Sequence, residues 1–97
     1  MKRIPPFKLV AEPLNDDAAK LLPFKWAGDE VGKRHRLGGQ PDYLEEADYP
    51  SCGCGKKMSF YGQLDSINDE YVLADCGIVS VFVCFDCYET KSVLSST

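Results

Sequence analysis

The chain holds five cysteines in 97 residues, and four of them form two close pairs, Cys52-Gly53-Cys54 and Cys84-Phe85-Asp86-Cys87. The 29 residues Gly55–Val83 separate the pairs. Each pair is short enough to grip one ion, and together they supply the closed tetrahedral sulfur set that Zn2+ favours in structural sites. The late pair has the common CxxC spacing; the early one is a tighter CxC. The expected ligands of a structural Zn2+ are therefore Cys52, Cys54, Cys84 and Cys87. Reduced thiols without metal, or redox work by the CxC pair, are the alternatives.

A constraint of this kind matters at 97 residues, where a hydrophobic core is modest. Structural zinc contributes on the order of 10–16 kcal/mol of apparent binding energy in small metal-dependent folds. That is as large as the net stability of a whole domain. An apolar fraction of 44% argues for a folded, globular chain. We expect one domain over residues 1–97, with residues 1–33 an N-terminal arm packed on a core spanning 34–94.

Charge is unevenly spread. Residues 1–58 carry ten basic and nine acidic side chains, whereas residues 59–97 carry one basic against six acidic. An acidic half repels phosphate backbones and attracts a basic partner, so nucleic acid is not expected as the main ligand. The rival reading would need Lys33-Arg34-His35-Arg36 and Lys56-Lys57 to merge into one basic patch. Pro5, Pro6 and Lys8 interrupt any signal-peptide-like apolar run, and no window reaches membrane-spanning length. A cytoplasmic location follows as an expectation, and reduced paired cysteines there more often hold metal than form disulfides.

The element pattern reads as mainly β, a small α+β domain: a compact antiparallel sheet or barrel-like fold with a zinc knuckle built from the two cysteine pairs. Phe7–Val10 reads as extended, and Asn15-Asp16-Asp17 as a helix N-cap before Ala18–Leu22, stopped by Pro23. Phe24 and Trp26 are expected to anchor the arm. Gly38-Gly39 and Pro41-Asp42 form a turn cluster, and Tyr43–Ala47 a brief helical turn. From Ser59 the alternation places Phe60, Gly62 and Leu64 on one strand face and Tyr61, Gln63 and Asp65 on the other. Ser66–Asp69 reads as a loop, Tyr71–Ala74 as a strand and Thr90–Leu94 as a closing strand. Ile78–Val83 is the strongest strand, apolar enough for burial on both faces.

Catalytic residues are not expected. His35 is the only histidine, no nucleophile motif is present, and four cysteines would close the metal's coordination sphere. Glu45, Glu46 and Asp48 read as a solvated face. His35 is expected to hydrogen-bond near its turn, and Cys76 to be a buried spare thiol. Tyrosines 43, 49, 61, 71 and 88 supply the amphipathic surface enriched at protein interfaces. Tyr43, Tyr61, Gln63 and Asp65 are the candidate partner-binding residues, although a buried Gln63 would instead brace a loop.

Four local strings, in order, resemble the bacterial YwqG-like family. His35-Arg36-Leu37-Gly38-Gly39-Gln40-Pro41-Asp42-Tyr43 is similar to its "HKLGGxPxW" signature, and Pro50–Met58 to its "P-x-C-…-CG-x-x-M" segment. Phe60–Ser66 resembles "F-x-x-QLDS", and Cys76–Cys87 resembles "G-x-x-x-VF-x-C-x-x-C". The likeness covers roughly residues 34–94 and extends to the programmed-cell-death-protein-2 and Tsr4 proteins. The chain departs from the family in length, in Tyr43 where Trp is common, in the CxC pair, and in Tyr88, where knuckles often place Gly. That last departure costs about 1 kcal/mol if the position needs positive φ. The resemblance implies a zinc-stabilised domain that binds a protein or peptide partner, chaperone-like or immunity-type, the partner being basic. A thiol-redox or metal-handling protein using Cys52 and Cys54 is the alternative.

Overall fold

The computed structural model describes residues 1–96. Five strands, β1 (Phe7–Lys8), β2 (Arg36–Leu37), β3 (Ser59–Asp65), β4 (Ile78–Val83) and β5 (Thr90–Ser95), form one sheet in the order β1-β2-β3-β4-β5. Every neighbouring pair is antiparallel. The fold is thus mainly β, and the sheet rather than the barrel is the form adopted. Among the described residues, helical structure is confined to α1 (Asp16–Ala19) and a 3-10 turn over Glu46–Asp48.

The core lies on one side of β3 and β4. There the long β2–β3 connection crosses the sheet and buries Tyr49, Cys52 and Met58 against Phe60, Phe82 and Cys84. The Phe82 ring is tilted against both Tyr49 and Phe60, with centroids 5.0 and 5.7 Å away. Aromatic pairs favour such tilted contacts. Phe82 is fully buried, so truncating it to Ala removes about 3–5 kcal/mol.

A bulge in β3 decides what else faces this core. Phe60 pairs with Phe82 but Gly62 pairs with Val81, leaving Tyr61 as the extra residue. A bulge inserts one residue and so reverses the alternation beyond it. Gln63 and Asp65 therefore turn inward and Leu64 outward, contrary to the simple alternation. In β4, Ile78, Ser80 and Phe82 are buried and Val79, Val81 and Val83 only half-buried. The expected two-sided burial of β4 holds on one face alone.

Two further expectations are corrected. Tyr71–Ala74 is a turn-containing loop, not a strand. Side chains capture the donors that a strand would offer to a neighbour: Asn68 Oδ1 accepts from the Glu70 and Tyr71 N–H groups, and Ser66 Oγ accepts from Leu73 N–H. Trp26 is 90% exposed and anchors nothing, while Phe24 is half-buried.

Residues 1–10 and 22–34 touch the core by separate means. β1 extends the sheet, and Gly39 N–H donates to the Ile4 carbonyl. Gly38 permits this approach, since a Cβ there would stand 2.3 Å from the Pro5 carbonyl oxygen. Asn68 Nδ2 donates to the Leu22 carbonyl, and Lys25 N–H donates to Asp69. Between them α1 is capped by Asn15, whose side chain accepts from Ala18 N–H, but it ends at Ala19 rather than Leu22. The helical turn expected over Tyr43–Ala47 is shifted to Glu46–Asp48. No helix among the described residues is long and apolar enough to cross a membrane.

Candidate metal centre

Both cysteine pairs sit at the tips of hairpin turns. The first tip is closed below by the Ser51–Lys57 bridge, with Cys52 N–H donating to the Lys56 carbonyl and Gly55 N–H to the Cys52 carbonyl. The second caps the β4–β5 hairpin, with Cys84 N–H donating to Glu89 and Tyr88 N–H to the Cys84 carbonyl. In each turn the residue after the second cysteine lies in the left-handed region, Gly55 at φ 86° and Tyr88 at φ 63°. Only glycine adopts that region freely. Tyr88 does so under strain, as anticipated from its replacing a common Gly.

The strands deliver these tips to one place. The Sγ atoms of Cys52, Cys54, Cys84 and Cys87 all lie within 4.8 Å of one another, and Cys54 Sγ stands 3.7 Å from Cys84 Sγ. A tetrahedron with metal–sulfur bonds of about 2.3 Å has sulfur–sulfur edges of about 3.8 Å. The spacing therefore fits a four-thiolate metal centre. No pair is a disulfide. Cys52 and Cys84 are buried on the core side, and Cys54 and Cys87 are exposed.

The thiols hold one another in unequal states. A hydrogen bond from the Cys54 thiol brings Cys52 down to about 6, against the opposing effect of burial. The same bond keeps the proton on Cys54, pushed up to about 12. Of the two, Cys52 gives up its proton more readily, and ligation by Cys54 must displace one.

Polar contacts that spacing alone does not reveal fasten the two tips. Gly53 N–H donates to Glu89 Oε2 at 2.8 Å, Lys91 Nζ to the Ser51 carbonyl at 2.6 Å, and Lys56 Nζ pairs with Asp86 at 2.8 Å. Lys57 Nζ donates to the carbonyls of Glu46 and Ala47. Charge of opposite sign near each turn was the only available signal for these residues.

The other candidates lie elsewhere. Gln63 is 1% exposed and Asp65 4%, which removes both from a partner-binding surface. Gln63 Oε1 accepts from Asp42 N–H, and its amide donates to the Arg34 carbonyl. Asp65 accepts from the N–H groups of Gly32, Arg34 and Ser66, and from Nε and Nη2 of Arg34 at 2.8 and 2.7 Å. Burial alone would raise its carboxyl, but the Arg34 guanidinium and these N–H donors hold it below the usual carboxylate range. Arg34 also donates to Tyr43 Oη and the Cys76 carbonyl, and its guanidinium stands over the Tyr43 ring. Tyr43 is thereby half-buried and engaged. Of the named partner candidates only Tyr61, 45% exposed, keeps a free surface.

Cys76 lies outside the cluster and is half-buried rather than buried. His35 Nδ1 accepts from Asp65 N–H, bracing the end of β3. Arg34 and Arg36 are paired with Asp65 and Asp42; Lys56 and Lys57 have the partners named above. Arg34 and Arg36 in one basic cluster and Lys56 and Lys57 in the other are thus engaged in separate contacts. No protein-family model, curated protein or solved structure matches this chain.

Proposed function

We propose that the chain is a non-enzymatic β domain, stapled by one structural Zn2+, that binds a protein or peptide partner. The four-thiol cluster carries the first half of this reading, since its tetrahedral spacing and all-sulfur donor set suit zinc above harder cations. Four protein ligands fill the coordination sphere, which suits a structural role. The binding half is supported by exposed aromatic residues, Tyr61, Tyr71 and Tyr88. The excess of acid in residues 59–97 favours a basic partner. By its resemblance to YwqG-like proteins, that partner is a client of a chaperone-like domain or the target of an immunity-type one, in the cytoplasm.

Native mass spectrometry of protein purified without chelator tests the staple, and one zinc per chain is the expected result. Titration with a synthetic Lys/Arg-rich peptide, followed by calorimetry at two salt concentrations, tests the partner's sign. The second reading is thiol-redox or metal handling by Cys52 and Cys54, favoured by the exposure of Cys54. Metal-free protein with Cys52 and Cys54 oxidised would replace the first reading with this one.

A further inference from the structure

The four clustered thiols differ in access, and each tip contributes one of either kind. Cys52 and Cys84 are 5% and 3% exposed, whereas Cys54 on the first tip and Cys87 on the second are open to solvent. Bound to zinc, all four sulfurs are thiolates, so access rather than acidity selects the one an oxidant meets first. Exposed Cys54 also has a sulfur of the other tip against it, Cys84 Sγ at 3.7 Å. A disulfide bond is about 2.05 Å long, so the contact must close by about 1.7 Å. The tips are already drawn together by side chains, with Glu89 accepting from Gly53 N–H, Lys91 donating to the Ser51 carbonyl and Lys56 donating to Asp86. Each turn is closed by its own backbone bonds, Cys52 N–H to the Lys56 carbonyl in one and Tyr88 N–H to the Cys84 carbonyl in the other. A sulfur bridge between the tips leaves both of these closures in place.

We propose that Cys54 is an oxidation site, and that a peroxide converts the loaded centre into a Cys54–Cys84 disulfide that joins the two tips and discharges the ion, a step that rests on the zinc-staple reading of the same sulfurs. The Cys54 thiolate attacks one peroxide oxygen. The O–O bond breaks, the departing hydroxide takes a proton to become water, and the sulfur is left as a sulfenic acid. The Cys84 thiolate then attacks that sulfur; the S–S bond forms, the S–O bond breaks, and a second water leaves with another proton. Two thiolates, one peroxide and two protons thus give one disulfide and two waters, and two electrons pass from sulfur to oxygen. Cys52 and Cys87 remain as only half of the four-sulfur set that holds a structural zinc. A dithiol reductant reverses the bond by exchange and restores the site. Oxidation therefore differs from chelation in its outcome. The disulfide spans the 29 residues Gly55–Val83 and takes over from the ion as the link between the tips, so the chain gives up zinc and keeps its fold.

Stepwise addition of hydrogen peroxide to the full zinc-loaded chain, with a chromogenic zinc indicator present, tests this. One zinc per chain is expected to appear as two of the five thiols disappear, and tandem mass spectrometry of the digest should place the new bond between Cys54 and Cys84. The oxidised chain should keep a cooperative thermal transition by circular dichroism and melt above reduced protein stripped of zinc. Cys76→Ala, outside the cluster, should release zinc at the same peroxide concentration as the unaltered chain. Zinc that withstands millimolar peroxide overturns the proposal. So does a bond inside one tip, Cys52–Cys54 or Cys84–Cys87, a sulfinic acid with no disulfide, or an oxidised chain that melts no higher than the stripped one. Metal content measured before peroxide is added separates the two ways to fail. A chain that takes up no zinc overturns the staple and this step with it, whereas a loaded chain that fails under peroxide overturns this step alone.

Discussion

At one end of the β3–β4 pair, Tyr49, Met58, Phe60 and Phe82 pack beneath two cysteine turns; at the other, Asp65 gathers five N–H donors around its carboxylate. The first end is apolar beneath and open above, with Cys54 and Cys87 exposed. The second sets a polar network beside the buried Ile78, and that network is complete. No buried side-chain nitrogen or oxygen among the described residues lacks a partner. The same two strands thus end, on one side, in a cluster that could hold an ion from outside the chain and, on the other, in a network the chain supplies itself. A thiol cluster can be emptied and refilled, whereas a buried ion pair fails only when one partner is removed.

The largest loss is expected at the cysteine end. Cys84→Ser, or chelation of the intact protein, is expected to release the metal and lower Tm by about 10 °C or more, or abolish the cooperative transition. Thermal denaturation alongside metal analysis checks this. The polar end should fail less completely. Asp65→Asn leaves Arg34, whose side chain is 14% exposed, without its counter-charge. The expected cost is about 3–5 kcal/mol, read from urea unfolding of the zinc-loaded protein. A loss below about 1 kcal/mol would show that the network is ornamental to stability.

Acid should separate the two ends. Metal ligation requires deprotonated sulfur, so falling pH drives protons onto the thiolates and zinc off, as a chromogenic chelator would report. The carboxyl of Asp65 is lower in the folded chain than its ordinary value. Its stabilisation is therefore fully present above the unfolded pKa of about 3.9 and is lost only as pH falls through the lower folded value. Zinc release is expected first and disruption of the Arg34–Asp65 network last. Simultaneous loss would mean that the two ends are one cooperative unit.

The smallest effects probe the turns. Tyr88→Gly should raise stability by about 1 kcal/mol, because Tyr88 occupies the left-handed region while its side chain is 73% exposed. Cys76→Ser should change stability by no more than about 1 kcal/mol and leave the metal content intact.

Much of the metal end was legible in the sequence because its information is local. Cysteine spacing defines each turn within four residues, and the apolar run of Ile78–Val83 leads directly into the second. The helix cap at Asn15, the strained backbone at Tyr88 and the closing strand were readable for the same reason. The polar end was not. Tyr71-Val72-Leu73 has strand-forming residues, but Ser66 and Asn68 reach forward and take their N–H groups. Trp26 looked like an anchor from its type alone, yet its side chain stays 90% exposed.

A mainly β chain whose two cysteine pairs could chelate one ion follows from the residues alone, since turn spacing and strand propensity act over a few residues. Long-range pairing alone places Gln63 and Asp65 inside, makes Arg34 their partner and turns Leu64 outward. All three rest on the extra residue at Tyr61. A bulge is fixed by pairing with strands distant in the chain, and a one-residue shift in register turns every later side chain to the opposite face.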